Sequence, residues 1–505
     1  MTESYLIGIG GSGSKCVESF VHLCAAGLGP ENVSIGLVDQ DQSNGNVAKT
    51  KQTTTKYLST REKVRSLDAD TVGSNCSYLK TAIDFPDNGS VWCPLPGTAK
   101  TIDELFGYDS LSDELQGLMD CLYHRRIEQQ LPLDEGFRGR PSLGAVTVLS
   151  QAIEGQTFWD NLFSKIDSAK SGREVRIFLV ASIFGGTGAS GFPSIARRIR
   201  NYLEDQGISN VYISGALFLP YFDYSKPEDE NGDNETVVHS QVFLEQAQGA
   251  LYYYEKMFER EHVFDNLYFV GWDPLIKVKN GGLGGNQQRN PPLLPEFYAS
   301  MAALEFFQSP EIPKSPVYQI GRKSEKLMTW EDFPTLCGSE EDLQNNLGQM
   351  VRFCIAFKYI YSPHLKRDRW KDISGEEWFK KHIKRLGVDL DDDAPQAAIE
   401  ALEDYTNEFL LWLSSMIYAS STETFLVELF DVHHFASHSP DHPTNSSQLH
   451  ERLTGQQTQS FGSLVTGIVT PSLGKVFEEM TYNKRIKDGR GLGEFVSALY
   501  SSSHV

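Results

Sequence analysis

Phe184-Gly185-Gly186-Thr187-Gly188-Ala189-Ser190-Gly191 follows an apolar run, Glu174–Ser182, that reads as a strand, and leads into a helical pattern over Ser194–Asp205. A second glycine-rich stretch, Ile7-Gly8-Ile9-Gly10-Gly11-Ser12-Gly13-Ser14-Lys15, has the same setting, between a predicted strand Tyr5–Ile9 and a predicted helix from Lys15 to about Ala26. Each stretch reads as a loop at a strand-to-helix junction. Free backbone N–H groups and the helix dipole at such a junction favour anions. Two of them in one chain predict a single polyphosphate held between two helix N-termini.

Working outward, Val33–Val38 reads as a second strand and completes a βαβ start. The polar stretch from Asp39 to about Thr60 has no periodicity and reads as loop. Helical pattern returns near Ile102–Gln130, then Gly136-Phe137-Arg138-Gly139-Arg140-Pro141 forms a basic, turn-like loop. Leu143–Ile153 and Phe158–Ser168 read as helices, and Val211–Phe218 as a strand followed by an acidic loop, Glu228-Asp229-Glu230-Asn231-Gly232-Asp233. Val242–Phe258 is a long amphipathic helix, Asn266–Gly271 a short strand, Asn280–Asn290 a glycine/asparagine segment and Leu293–Phe307 another helix. Strands alternating with helices predict an α/β fold, a parallel sheet flanked by helices. From about Glu341 the pattern is mostly helical, with Leu347–Tyr361, Ala397–Tyr418 and Thr424–Phe430 dominant, and His433–Ser460 a polar loop. The expected division is a nucleotide-binding domain over 1–310 and a mostly α-helical region over 311–505.

The net charge of −21 argues against nonspecific binding to nucleic acid or an anionic membrane, because phosphates are repelled. A bound nucleotide then depends on backbone amides, a few local cations and Mg²⁺. Seven scattered cysteines without a CxxC read as reduced thiols in a cytoplasmic protein. The N-terminus MTESYLIGIGGSG lacks the basic and apolar regions of a signal peptide, and no run of about 20 apolar residues exists to span a bilayer.

Gly8-Ile9-Gly10-Gly11-Ser12-Gly13 satisfies the GxGxxG spacing of dinucleotide folds, and Asp39 stands where such folds place an acid after their second strand. A Rossmann-type oxidoreductase is therefore one reading, although it has no need of a second glycine stretch. Neither stretch has the GxxxxGK[ST] spacing of a P-loop.

Gly185-Gly186-Thr187-Gly188, Ala189-Ser190-Gly191 and the helix holding Arg198-Ile199-Arg200 resemble the signature of the tubulin/FtsZ superfamily, in a divergent prokaryotic form. Gly8 to Ser14 is similar to that family's first phosphate loop, Val38-Asp39-Gln40-Asp41-Gln42 to the loop after its second strand, and residues 136–141 to its γ-phosphate loop. The resemblance covers roughly residues 5–310. Phe184 replaces the first glycine of the signature, and Ala189-Ser190 its usual Ser/Thr-Gly pair. It implies GTP or GDP with Mg²⁺, bound by Gly10, Gly11, Ser12, Gly13, Ser14, Asp39, Asp41, Arg138, Gly139, Arg140, Gly185, Gly186, Thr187 and Gly188. Arg138 and Arg140 depart from the family's small residues, and guanidinium forks suit phosphate oxygens. In the same likeness Phe297, at the start of a central helix near 293–307, stacks on the base; Met301 and Ala302 stand where the base-reading side chain is expected, and Asp273 is its substitute.

The resemblance further implies head-to-tail assembly into filaments, with hydrolysis linked to assembly through an acid brought to the γ-phosphate by the next subunit. That motif is not evident; Glu331 and Asp332 in Thr329-Trp330-Glu331-Asp332-Phe333-Pro334 are the nearest candidates. A nucleotide-sensing scaffold without turnover, recruiting protein partners through the helical region, fits the missing motif. Two further clusters are read as structural: the histidines at 433, 434, 438 and 442 as a flexible loop without metal, and Asp389-Leu390-Asp391-Asp392-Asp393 as a solvated helix start.

Overall fold

The computed structural model describes residues 2–65, 76–97, 100–133, 136–137, 139–224, 240–278, 290–312, 317–321, 326–333, 340–422, 424–430, 465–466, 473–482 and 491–504. The chain divides into two compact units. The first comprises 1–19, 32–51 and 83–321, the second 20–31, 52–82 and 322–505. The acidic loop at 228–233, nearly all of the glycine/asparagine segment, the loop 433–460 and Arg138 lie outside the described residues.

The first unit is built on strands β1 (Thr2–Ile9), β2 (Asn32–Val38), β3 (Ala82–Asp84), β4 (Val91–Trp92), β5 (Glu174–Ser182), β6 (Val211–Phe218), β7 (Asn266–Val270) and β8 (Val317–Ile320). Their order is β8-β7-β6-β5-β1-β2-β3, with β4 also on β2. The ladders joining β8, β7, β6, β5, β1 and β2 are all parallel. Helices α1 (Gly10–Ala25), α2 (Gly45–Arg65), α3 (Ile102–Phe106), α4 (Asp113–Leu122), α5 (Pro141–Ser150), α6 (Thr157–Asp167), α7 (Gly186–Gln206), α8 (Ser240–Arg260) and α9 (Leu294–Gln308) intervene.

Side-chain alternation makes this a three-layer arrangement. Phe178 on β5 meets Phe306 and Phe307 of α9. Gly215 on β6, opposite Leu179, instead faces Phe192 of α7. The helices therefore cover both faces, as parallel sheets require. The central strands are buried on both sides, which is why they read as continuous apolar runs rather than alternating ones.

Three local expectations are corrected. The glycine stretches are not loops: α1 begins at Gly10 rather than Lys15, and α7 at Gly186 rather than Ser194. Glycine is a poor helix former, but here tertiary contact selects it. A Cβ on Gly13 would lie 2.4 Å from the Val180 carbonyl oxygen, and one on Gly188 2.9 Å from that of Ser182. The polar stretch after Asp39 contains α2. Its buried face is made of Thr50, Thr53, Thr54, Thr60 and Tyr57, so hydrophobic periodicity is absent. Thr50 and Thr60 satisfy their hydroxyls by donating to the carbonyls four residues back. Finally, Ile102–Gln130 is broken into α3, a 3₁₀ turn, α4 and a π turn at Arg125–Gln129.

The second unit is mostly helical: α10 (Glu340–Ala356), α11 (Asp393–Ser420), α12 (Leu473–Tyr482) and α13 (Gly491–Ser502). Its core includes Tyr78, Phe353 and Tyr500, whose rings lie 4.7–5.4 Å apart, and His22 stacked 4.6 Å from Trp412. Within Thr424–Phe430, read as helical, Leu426–Val427 is a strand paired in parallel with Leu327–Met328. Val427, with Thr424 and Phe425 just before it, fits an extended segment better than a helix. Among the described residues, no helix is long and apolar enough to cross a membrane.

Candidate functional site

β1 and β5 are adjacent, with Gly8 opposite Val180, so their C-terminal ends deliver the first turns of α1 and α7 side by side. A Cβ on Gly10 would lie 3.3 Å from the Gly188 nitrogen and 3.7 Å from Thr187 Cβ. Gly10 also has φ +72°, a conformation that favours glycine. The opening N–H groups of both helices lack intrahelical acceptors by construction. Neither first turn carries an acid, and no side chain caps Gly185. Two positive dipole ends thus converge on one place, with no acid in either first turn.

Asp39, at the end of β2, closes a third side. Its Oδ1 accepts from Asp41 N and from Thr187 Oγ1, each at 3.2 Å, and its Oδ2 from Asn44 Nδ2 at 3.1 Å. Burial pushes the Asp39 carboxyl up to about 7, with the Asp41 charge adding to it and the Asp41 N–H and Thr187 bonds opposing. Asp41 turns back on Ser43, accepting from its N–H and its hydroxyl. Asn44 caps α2 by accepting from Asn46 N at 2.9 Å, and the Asn44 and Asn46 amides line the Gly11 side of the site.

The 136–140 loop supplies a fourth side. Gly186 has room for no side chain because Phe137 Cβ would lie 2.7 Å away, and Gly136 faces Asp41 Cβ. Phe137 is buried with Ile102, Leu133 and Leu143, which anchors the loop, and Gln246 donates to the Gly139 carbonyl at 3.0 Å. Arg140 is half-buried at the start of α5. The structure therefore gathers Gly10, Gly11, Asp39, Asp41, Gly139, Gly186, Thr187 and Gly188 at one edge of the sheet, with Ser12, Gly13, Ser14, Arg140 and Gly185 in the same segments.

A network that sequence reasoning missed ties this edge to α9. Lys15 Nζ lies 2.5 Å from Glu296 Oε1, both nearly solvent-free. The Tyr221 hydroxyl is 2.7 Å from the same oxygen and 3.2 Å from Ser12 Oγ, while Leu293 N donates to Glu296 Oε2 at 2.7 Å. Burial raises the Glu296 carboxyl, and Lys15, Tyr221 and the Leu293 N–H oppose that rise. The one sequence signal was Glu296 at the third position of a helix, where a side chain reaches back to the cap.

Other expected residues sit differently. Phe297 is 1 % exposed on α9, leaving no open ring face, and Asp273 is exposed after β7. Asp332 accepts from Thr329 N at 2.8 Å and caps its own short turn in the second unit, where Glu331 is exposed. Among the described residues, no three His, Cys, Asp or Glu gather as a metal-binding set.

The raised Asp39 carboxyl has a pH consequence. Its folded form holds a proton over a range in which the unfolded chain, near 3.9, has released it. Stability from this group is therefore greatest below about pH 4 and falls as pH rises through about 7. Asp39→Asn should flatten that decline in urea unfolding measured from pH 4 to 8; an unchanged slope would show Asp39 to be ionised throughout.

Residues 144–238 match the family model described as "Tubulin like". No curated protein matches the chain. Among solved structures, CetZ1 from Haloferax volcanii, a GDP-bound monomer, is similar at 16% identity with a TM-score of 0.24. That match covers 53% of this chain and 51% of the other, about half of each. The segment 144–238 carries β5, α7 and β6, and over it the chain is similar to tubulin-like proteins.

Proposed function

We propose that this chain binds the polyphosphate of a nucleotide, GTP or GDP, between the first turns of α1 and α7. The observation that carries this reading is the contact of two acid-free helix N-termini, Gly10 against Thr187 and Gly188. The tubulin-like match over α7 supports it. Asp39 and Asp41 are the carboxylates that would hold Mg²⁺, which supplies charge neutralisation to the phosphates. The chain's own contribution is to orient the phosphates by backbone amides and by the Thr187 hydroxyl, which would turn its one proton from Asp39 to a phosphate oxygen, with Arg140 at the start of α5 in the neighbouring segment. Occupancy then favours a heterologous, head-to-tail contact between copies, which yields filaments because such a contact need not close. A cytoplasmic setting, without membrane insertion or nucleic-acid contact, belongs to the same reading.

A second reading is a nucleotide-sensing scaffold without turnover, with the helical region recruiting other proteins. The commitment of Asp332 to its own turn favours it. Hydrolysis needs a carboxylate that orients water at the terminal phosphate. Phosphate release that rises faster than linearly with protein concentration would establish assembly-linked turnover.

The binding reading is tested by equilibrium dialysis of radiolabelled GTP against wild type and Thr187→Ala. A hydrogen bond to a charged group contributes about 1.5–3 kcal/mol, so affinity should fall roughly 10- to 100-fold. Unchanged affinity would remove Thr187 from the site. Negative-stain microscopy with and without GTP tests assembly, with filaments expected only in the presence of nucleotide.

A further inference from the structure

A surface helix normally turns its apolar stripe inward and its polar face to water. In the first unit, α4 does the reverse. Its polar side chains reach into the protein: Gln116 Nε2 donates to the Tyr108 carbonyl at 3.0 Å, and Asp120 accepts from the Tyr108 hydroxyl and the buried Gln129 amide, each at 2.9 Å. Leu115, Leu118 and Leu122 share one face at i, i+3 and i+7 and are 49 %, 54 % and 60 % exposed. Met119, beside that stripe, packs against Ile102, Leu133, Phe137 and Leu143 and holds the helix along one edge. No residue of α4 is buried, yet its start is well specified, with Ser112 as cap and Asp113 and Glu114 in the first turn. Phe106 and Ile127, in the segments flanking α4, are exposed as well.

We infer that the Leu115–Leu122 face of α4 docks a basic amphipathic helix of another protein. Single exposed leucines are ordinary, but three at helical spacing make one contiguous stripe, which marks an interaction surface. The charge around the stripe decides the partner. Residues 101–122 hold six acids, Asp103, Glu104, Asp109, Asp113, Glu114 and Asp120, and no Lys, Arg or His. Glu104, Asp109, Asp113 and Glu114 are all exposed. A second copy docking through the same face would set these acids against their own equivalents, in chains that each carry −21, and like charges so placed repel. A helix with an apolar seam between Lys or Arg flanks meets both features at once: the seam covers the leucines and the cations reach the acids. Leu115 to Leu122 runs about 10 Å along α4, so two or three turns of such a helix cover it. The docking uses no residue of the glycine turns and stands or falls apart from nucleotide binding.

The probe is a synthetic Leu/Lys peptide of about 18 residues patterned as an amphipathic helix. A scrambled peptide of the same composition and a Leu/Glu peptide of the same pattern are the controls. Fluorescence anisotropy at about 0.15 M salt, without nucleotide, compares wild type with Leu118→Gln/Leu122→Gln. That double variant keeps the charge and a good helix former at both positions, and both side chains are exposed, so its thermal melt should coincide with that of wild type. Wild type is expected to bind the Leu/Lys peptide roughly tenfold or more tightly than the double variant does, and than it binds either control. Hydrogen exchange of the complex should show added protection over 113–122. Equal affinity in the double variant, a scrambled peptide that binds as tightly as the patterned one, or no binding at all would overturn the inference. A wild-type dimer in sedimentation equilibrium that the double variant abolishes would also overturn it, by giving the face to a second copy.

Discussion

Gly13→Ala should destabilise the first unit by about 2 kcal/mol or more and abolish nucleotide binding. Helix propensity alone predicts the opposite sign, since alanine in a helix is favoured over glycine by about 1 kcal/mol. Gly13 lies in α1, so the two arguments compete directly. The added Cβ would stand 2.4 Å from the Val180 carbonyl oxygen and 3.0 Å from the Gly8 carbonyl carbon. Both obstacles are backbone, held in the β1–β5 ladder from Thr2↔Glu174 to Gly8↔Val180. Neither can rotate away, so either α1 lifts off the sheet or the ladder opens. Lifting α1 moves its N–H groups away from Thr187 and Gly188, which is why binding goes with stability. Gly249→Ala is the control: it lies within α8, and a Cβ there meets nothing within 4 Å. That variant should gain about 0.5–1 kcal/mol. Chemical denaturation of both variants gives the comparison, and a Gly13→Ala protein as stable as Gly249→Ala would refute the close-approach argument.

The sheet was legible because its strands are buried on both faces and need no alternation to be seen. The site was legible in part for a related reason. Glycines clustered after an apolar run mark a place where backbone meets backbone. Their conformation was not legible. A propensity argument makes GGSG and GGTGASG loops, whereas the contacts at Gly13 and Gly188 make them the opening turns of helices. α2 escaped notice because threonine hydroxyls returned to the preceding turn let a polar sequence bury a face. The Lys15–Glu296 pair joins residues 281 positions apart, and no local pattern encodes such a partner. Trp92 and Gln156 are a similar case: the β2–β4 pairing and the start of α6 bring them together, bonded through Trp92 Nε1 at 2.5 Å.

Lys15→Met should cost about 3–5 kcal/mol, the usual penalty for leaving one member of a buried ion pair without the other. Glu296 is fully buried, and Lys15 is the larger of the influences opposing its raised carboxyl. Without that ammonium, Glu296 retains Tyr221 and the Leu293 N–H but no countercharge. Its proton affinity rises further. The sign follows from linkage: a carboxyl raised in the folded state loses stability as pH climbs from its unfolded value, near 4.3, through its folded one. The deficit of Lys15→Met should therefore be larger at pH 8 than at pH 5. Adding Glu296→Gln to Lys15→Met removes the buried charge, so the double variant should recover much of the loss and no longer show the extra pH dependence. Guanidinium unfolding of the four proteins at both pH values completes a double-mutant cycle. Additive single effects, with no coupling at either pH, would mean that the pair contributes no more than its packing. Strong coupling would identify the bond that holds the first turn of α1, and with it Ser12 and the glycine turns, against the start of α9.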